Sequence, residues 1–149
     1  MPVLILLLSG TLYWVSLPTR AVLEALVACD GVFGRARFFA ARLGFRDRHH
    51  LARVLAREGL PPLEELAAWI RLARWVLHWE RDGTALSELA LAERADPAVW
   101  YRTVMRLTGA KWSDVRARGL AWVLDQLRNQ CRIPSEHAAA GTVARFTRG

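Results

Sequence analysis

Strand-forming patterns are almost missing from this chain: Val, Ile and Thr seldom alternate with polar residues, and Leu, Ala, Arg and Glu dominate instead. Straight-chain residues and Ala favour helices, whereas β-branched alternation marks strands, so an all-α fold is expected. Cysteine is nearly as scarce. Cys29 and Cys131 stand far apart and in no C-x-x-C spacing, which argues against a zinc knuckle or dithiol redox centre and suits a reducing, cytoplasmic compartment. Neither G-x-x-x-x-G-K-[ST] nor G-x-G-x-x-G occurs, so the common phosphate-cradling loops are missing too. His49 and His50 are neighbours, which puts them about 100° apart on a helix rather than in the i, i+4 register of a metal pair. Glu64–Glu65 and Glu88/Glu93 have no His or Cys arranged with them. These absences argue against an enzyme, and no cofactor or metal is expected.

What the chain does contain is apolar residues at 53% and a net charge of +7 over 149 residues. That length holds one domain with a real core, or two small subdomains sharing a helix. The charge is uneven: −1 over residues 1–30, +5 over 31–60, −1 over 61–83, and +2 over each of 84–130 and 131–149. Seven Arg against Asp47 and Glu58 produce the central excess. A basic segment of this kind favours polyanions by releasing counterions from a phosphate backbone. A solvated, Arg-rich face is the competing explanation.

Pro2–Leu17 carries no charge. It falls short of the ~20 apolar residues that span a bilayer, and Ser9, Gly10, Thr11 and Ser16 weaken it further. No Lys or Arg precedes the apolar run and no A-x-A site follows it, unlike a secretory signal. Three readings stay open for residues 1–17: an element packed on the domain, a weak membrane anchor (which is not favoured), or the remnant of an upstream domain.

Beyond it, Leu17-Pro18-Thr19 opens a helix with Val22, Leu23, Leu26 and Val27 as its stripe, ending near Asp30-Gly31. A second helix is expected over Phe33–Leu43, with Phe38, Phe39 and Ala40/Ala41 inward and Gly44 as its stop. Phe45 should plug the core before a helix over Asp47–Glu58, which Gly59 ends. Pro62–Arg81 is the longest periodic stretch, about 30 Å as a helix, with Trp75 and Trp79 offset from its apolar side toward the N-terminal segment or a partner. Trp69 and Trp112 fall at core positions. Thr84 should cap a helix carrying Leu86, Leu89, Ala90 and Leu91; Asp96 and Pro97 open the next, through Leu107. One amphipathic helix should begin near Trp112-Ser113, and residues 131–149 lack periodicity and should form a mobile tail.

Residues 40–59 and 89–109 form an approximate repeat: Leu51-Ala52-Arg53 and Trp100-Tyr101-Arg102 each precede an apolar residue and then Gly59 or Gly109. The expected architecture is two helix-turn-helix subdomains, 18–61 and 83–130, joined by a long linking helix at 62–82. Over residues 18–120 the chain resembles the DNA-binding domain of the AraC/XylS transcription regulators. The resemblance rests on Gly44-Phe45, Leu51, Arg53, Leu55, Gly59-Leu60-Pro61-Pro62 and Arg71, and more loosely on Leu89-Ala90, Trp100, Arg102, Val104, Gly109 and Arg116. Where the family has its strongest Gly-Phe turn, in the second unit, this chain has Arg94-Ala95 in a connection about one residue shorter, and Ser113 replaces a usual Pro. The resemblance implies a regulator that inserts helices into the major groove of double-stranded promoter DNA, with RNA polymerase as a further partner.

Candidate contacts follow from helical register. Positions 49, 52, 53 and 56 share one face, which puts Arg48, His49 and Arg53 forward for base edges and Arg46 and His50 for phosphate. An ion pair of Arg53 with Glu58, Glu64 or Glu65 is the competing role. In the second unit Ala98 is a candidate for a thymine methyl and Tyr101 and Arg102 for phosphate. The alternative function is a membrane-associated or protein-docking module built on a degenerate helix-turn-helix, for which the uncharged first 17 residues and the Trp75/Trp79 pair speak.

Overall fold

Local sequence sets most helix boundaries. Asp47 and Asp96 cap helices that begin at the following residue, Pro97 occupies the first turn of its helix, and Gly83 and Gly109 end theirs in the left-handed conformation. The computed structural model describes residues 2–135, and the rest of the tail expected to be mobile lies outside the described residues. Within them the protein is all-α, with nine helices and no strand: α1 (Pro2–Thr11), α2 (Leu17–Ala28), α3 (Ala36–Arg42), α4 (Arg48–Arg57), α5 (Leu63–Asp82), α6 (Leu86–Ala92), α7 (Pro97–Thr108), α8 (Trp112–Arg118) and α9 (Leu120–Asn129).

The 20-residue α5 is the axis on which the others pack: α2, α6, α7, α8 and α9 all touch it. Glu64 and Glu65 in its first turn and Arg81 in its last complement the helix dipole. From Leu66 to Leu77 every residue is buried except Arg71, which is half-buried. The expected single apolar side is therefore too narrow. Trp75 is fully buried, and its ring stacks on Trp100 of α7 with centroids 4.3 Å apart and planes 17° from parallel. It is therefore covered within the fold and not left for a partner. Trp79 lies under the Arg116 guanidinium, 4.1 Å from its ring centroid. Arg74, the buried cation of α5, pairs with Asp30 at 3.4 Å and with Glu93, joining the ends of α2 and α6. Removal of either acid would leave a buried charge undercompensated.

The helix α1 packs on α2 and α9 through buried Leu4 and Leu8, with Leu12 buried just beyond it. Its other side leaves Val3, Leu6 and Leu7 exposed. Among the described residues no helix is long and apolar enough to cross a membrane.

Four further details depart from the sequence expectations. Gly34, at φ +75°, keeps Phe33–Arg35 out of α3, and Phe38 turns outward with 56% exposure while Phe39 and Ala40 face the core. Thr84 does not cap α6; Ala85 precedes the helix without a side-chain bond, and Leu91 is exposed. The terminal helix is two helices. Gly119 (φ 93°, ψ 173°) breaks it, and Glu80 of α5 accepts the Leu120 amide at 2.8 Å, capping α9 from a distance in sequence. Finally, residues 131–133 are docked. The Arg132 amide donates to the Gly59 carbonyl at 2.8 Å, Ile133 packs on the core, and burial pushes the Cys131 thiol up to about 11. A side chain at Gly59 (φ +78°) would place its Cβ 1.7 Å from the Arg132 carbonyl oxygen, so this approach requires glycine.

Candidate nucleic-acid interface

The α3–α4 and α6–α7 connections share one hydrogen-bond pattern. In the first, the Ala40 carbonyl accepts the Leu43 and Phe45 amides at 3.2 and 3.0 Å, and Ala41 accepts Gly44 at 3.1 Å. In the second, Ala90 accepts Glu93 and Ala95 at 3.2 and 2.8 Å, and Leu91 accepts Arg94 at 3.1 Å. Both close through a left-handed residue, Gly44 at φ +85° and Arg94 at φ +55°. Such a closure satisfies the last free carbonyls of a helix and usually takes glycine. Arg94-Ala95 thus occupies the same backbone place as Gly44-Phe45. The side chains differ: Phe45 and Leu51 are buried in the first unit, and half-buried Ala95 and buried Trp100 stand in the second.

Each following helix starts on an aspartate. The Asp47 Oδ1 accepts the His50 amide at 2.7 Å, and the Asp96 Oδ1 accepts Ala98 at 2.9 Å. The bond from the His50 amide, above all, holds the Asp47 carboxyl below its ordinary 3.8. One residue fewer separates turn and cap in the second unit, Arg94-Ala95-Asp96 against Gly44-Phe45-Arg46-Asp47.

The α4 helix buries Leu51 and Leu55 and half-buries Val54, so Arg48, His49 and Arg53 are exposed, as is Arg46 in the turn. His49 and Arg53 share a face at i, i+4. His50 is placed differently. Its Nδ1 accepts the Arg46 amide at 3.2 Å and its half-buried ring meets Phe45 edge-on at 5.4 Å, which ties it into the turn. On α7, Trp100, Val104 and Leu107 are buried, and Ala98, Tyr101 and Arg102 are exposed together with Met105.

Charge separates the two units. Among residues 31–60 the only acids are Asp47 and Glu58, and both serve helix starts. Glu58 accepts hydrogen bonds from the Ser16 amide, the Ser16 hydroxyl and the Thr19 hydroxyl at the N-terminus of α2. Neither acid pairs with Arg53, and Glu65 pairs with Arg106 at 3.2 Å instead. Among the described residues, none of the seven arginines of this segment is in an ion pair. Around α7 to α9 the cations are mostly engaged: Arg106 with Glu65, Arg128 with Asp125 at 3.0 Å, Arg116 over Trp79 and Arg118 over Trp122 at 4.9 Å. Arg71 lies 5.3 Å from the Trp75 ring centroid and 5.9 Å from that of Trp100; burial, above all, lowers its pKa.

The arrangement thus offers an exposed, unneutralised cationic helix on a short turn, and a second helix of the same construction with fewer free cations. Arg35 and Arg37 belong to the same exposed, unpaired set, although no helical register singles them out. No cluster of three or more His, Cys, Asp or Glu suited to a metal ion occurs among the described residues. No family model, curated protein or solved structure matches the chain.

Proposed function

We propose that the protein is a DNA-binding transcription regulator of the AraC/XylS kind. In this reading α3–α4 and α6–α7 are two helix-turn-helix units, α5 links them, and α4 enters the major groove with His49 and Arg53 toward base edges. Arg46 contacts phosphate beside it, His50 supports the turn, and Ala98, Tyr101 and Arg102 on α7 make the weaker, mainly backbone-directed contact. The observation that carries it is the repetition of one turn-and-cap construction before two exposed helices, the first bearing unpaired arginines. The length of α5, 20 residues or about 30 Å, is close to the ~34 Å turn of B-DNA, which suits two reading helices on one face of the duplex.

Selection from a randomised duplex pool tests this reading. An enriched motif containing major-groove guanine is expected, with affinity falling steeply as salt rises. Arg53→Ala should weaken the selected site by about 1–3 kcal/mol, roughly 5- to 150-fold, and relax one base position. Arg102→Ala should weaken all sequences alike and reduce the salt slope by about 1. Absence of binding at low salt would overturn the proposal. The exposed Val3, Leu6 and Leu7 of α1 favour the second reading, a docking or membrane-surface module. Salt-insensitive association with vesicles or protein, without DNA binding, would support it.

A further inference from the structure

The α2–α3 connection and the first turns of α3, α4 and α5 enclose an open cleft of about 590 Å³, lined by Gly34, Arg35, Ala36, Arg37, Arg48 and Glu64. Three arginines, from two separate elements and a loop, line it together with one acid. All three arginines are exposed and none is in an ion pair among the described residues. Arg37 is held in place from below: its guanidinium carbon lies 4.6 Å from the centroid of the exposed Phe38 ring, a stacking that leaves the donor edge of the guanidinium free. Gly34, at φ +75° with no atom within 4 Å of a would-be Cβ, turns the loop without filling the space. A planar guanidinium presents paired N–H donors that match the non-bridging oxygens of a phosphodiester.

We infer that this cleft binds phosphodiester groups: Arg35, Arg37 and Arg48 hold the backbone of the DNA strand bordering the groove that α4 enters. The inference rests on the DNA-binding reading and deepens it. Arg48 moves from base reader to backbone contact, and Arg35 and Arg37 fix register without reading sequence. Glu64 opposes the same phosphates and moderates the site.

The test is the salt dependence of affinity for the full chain, measured on the selected duplex and on a scrambled one. Arg35→Ala/Arg37→Ala should weaken both duplexes by one common factor, lower the magnitude of the slope of log K against log salt by about 1.8, and leave the selected motif unchanged. Arg35→Lys/Arg37→Lys should restore the slope, because the charge is kept. Glu64→Gln should tighten both duplexes. Melting curves matching wild type confirm that these surface changes leave the fold intact. An unchanged slope in the alanine variant, with wild type still selecting its motif, would overturn the cleft assignment and leave the DNA reading standing. Failure of wild type to bind any duplex would overturn both. Saturable binding of inorganic phosphate at constant ionic strength, lost in the alanine variant while the DNA slope is unmoved, would assign the cleft to a free phosphate and reject the backbone.

Discussion

The two turn-and-helix segments, 36–57 and 86–108, share the hydrogen-bond pattern of their turns and divide their side chains between opposite tasks. In the first, leucines and Phe45 make the core contact, Asp47 and the adjoining Glu58 serve helix starts, and the arginines are left to solvent. In the second, Trp100 stacks on Trp75, Arg106 binds Glu65 on α5, and Glu93 anchors Arg74. Hydrogen bonds from consecutive amides suffice to build the turn, so Arg94 serves in a left-handed place where Gly44 does so at less cost. What a turn of this kind does therefore depends on how its cations are occupied. The first segment is free to meet a polyanion. The second spends more of its chemistry on holding the fold.

Removal of the aromatic anchor should break this division most severely. Trp100→Ala is expected to cost about 3–5 kcal/mol in urea unfolding. A double-mutant cycle with Trp75→Ala should recover a coupling of about 0.5–1.5 kcal/mol for the ring pair beyond their burial. A loss below about 1 kcal/mol in the single variant would show that the stack does not anchor α7. Exchange of the two left-handed residues gives a smaller effect of opposite signs. Gly44→Ala meets open space, so its cost is backbone strain alone, about 1–2 kcal/mol. Arg94→Gly should stabilise by up to about 1 kcal/mol. Equal signs would mean that the turns are not equivalent.

The smallest effect concerns the cap of α4. The Asp47 carboxyl is held below its unfolded value, so it stabilises the fold at pH above about 4 and loses that contribution as pH falls through the depressed folded value. Thermal melts should therefore separate wild type from Asp47→Ala at neutral pH and converge as the carboxyl is protonated in acid. A constant separation would assign the bond to a neutral role.

Helices, caps and stops were legible in sequence because each depends on residues within about one turn of one another. Asp47, Asp96, Gly83 and Gly109 act on neighbours two to four positions away. The departures depend on partners much farther off. Glu80 caps Leu120 across 40 residues, so periodicity alone could not reveal the break at Gly119. The all-round burial of α5 is of the same kind: Arg71 and Arg74 mark a polar side in sequence, yet an aromatic pair covers one and an ion pair neutralises the other. The exposed residues of α4 followed directly from helical register, because the buried set Leu51 and Leu55 determines its complement. His50 did not, since its role arises from a bond to the Arg46 amide across the turn. Arg35 and Arg37 gave no periodic signal at all, standing where a loop becomes a helix.

The contact between Gly59 and Arg132 also has a consequence for the order of folding. The two residues are 73 positions apart (132 less 59), and α9, which precedes Arg132, packs on both α1 and α5. At ordinary synthesis rates of about 5–20 residues per second, the amide that completes the turn after α4 emerges roughly 4–15 s after the glycine that receives it. During that interval the most cationic segment of the nascent chain lacks the Arg132 amide that closes on its Gly59 carbonyl. The arginine-rich region is thus made early and finished late, its last backbone contact waiting on a segment far downstream.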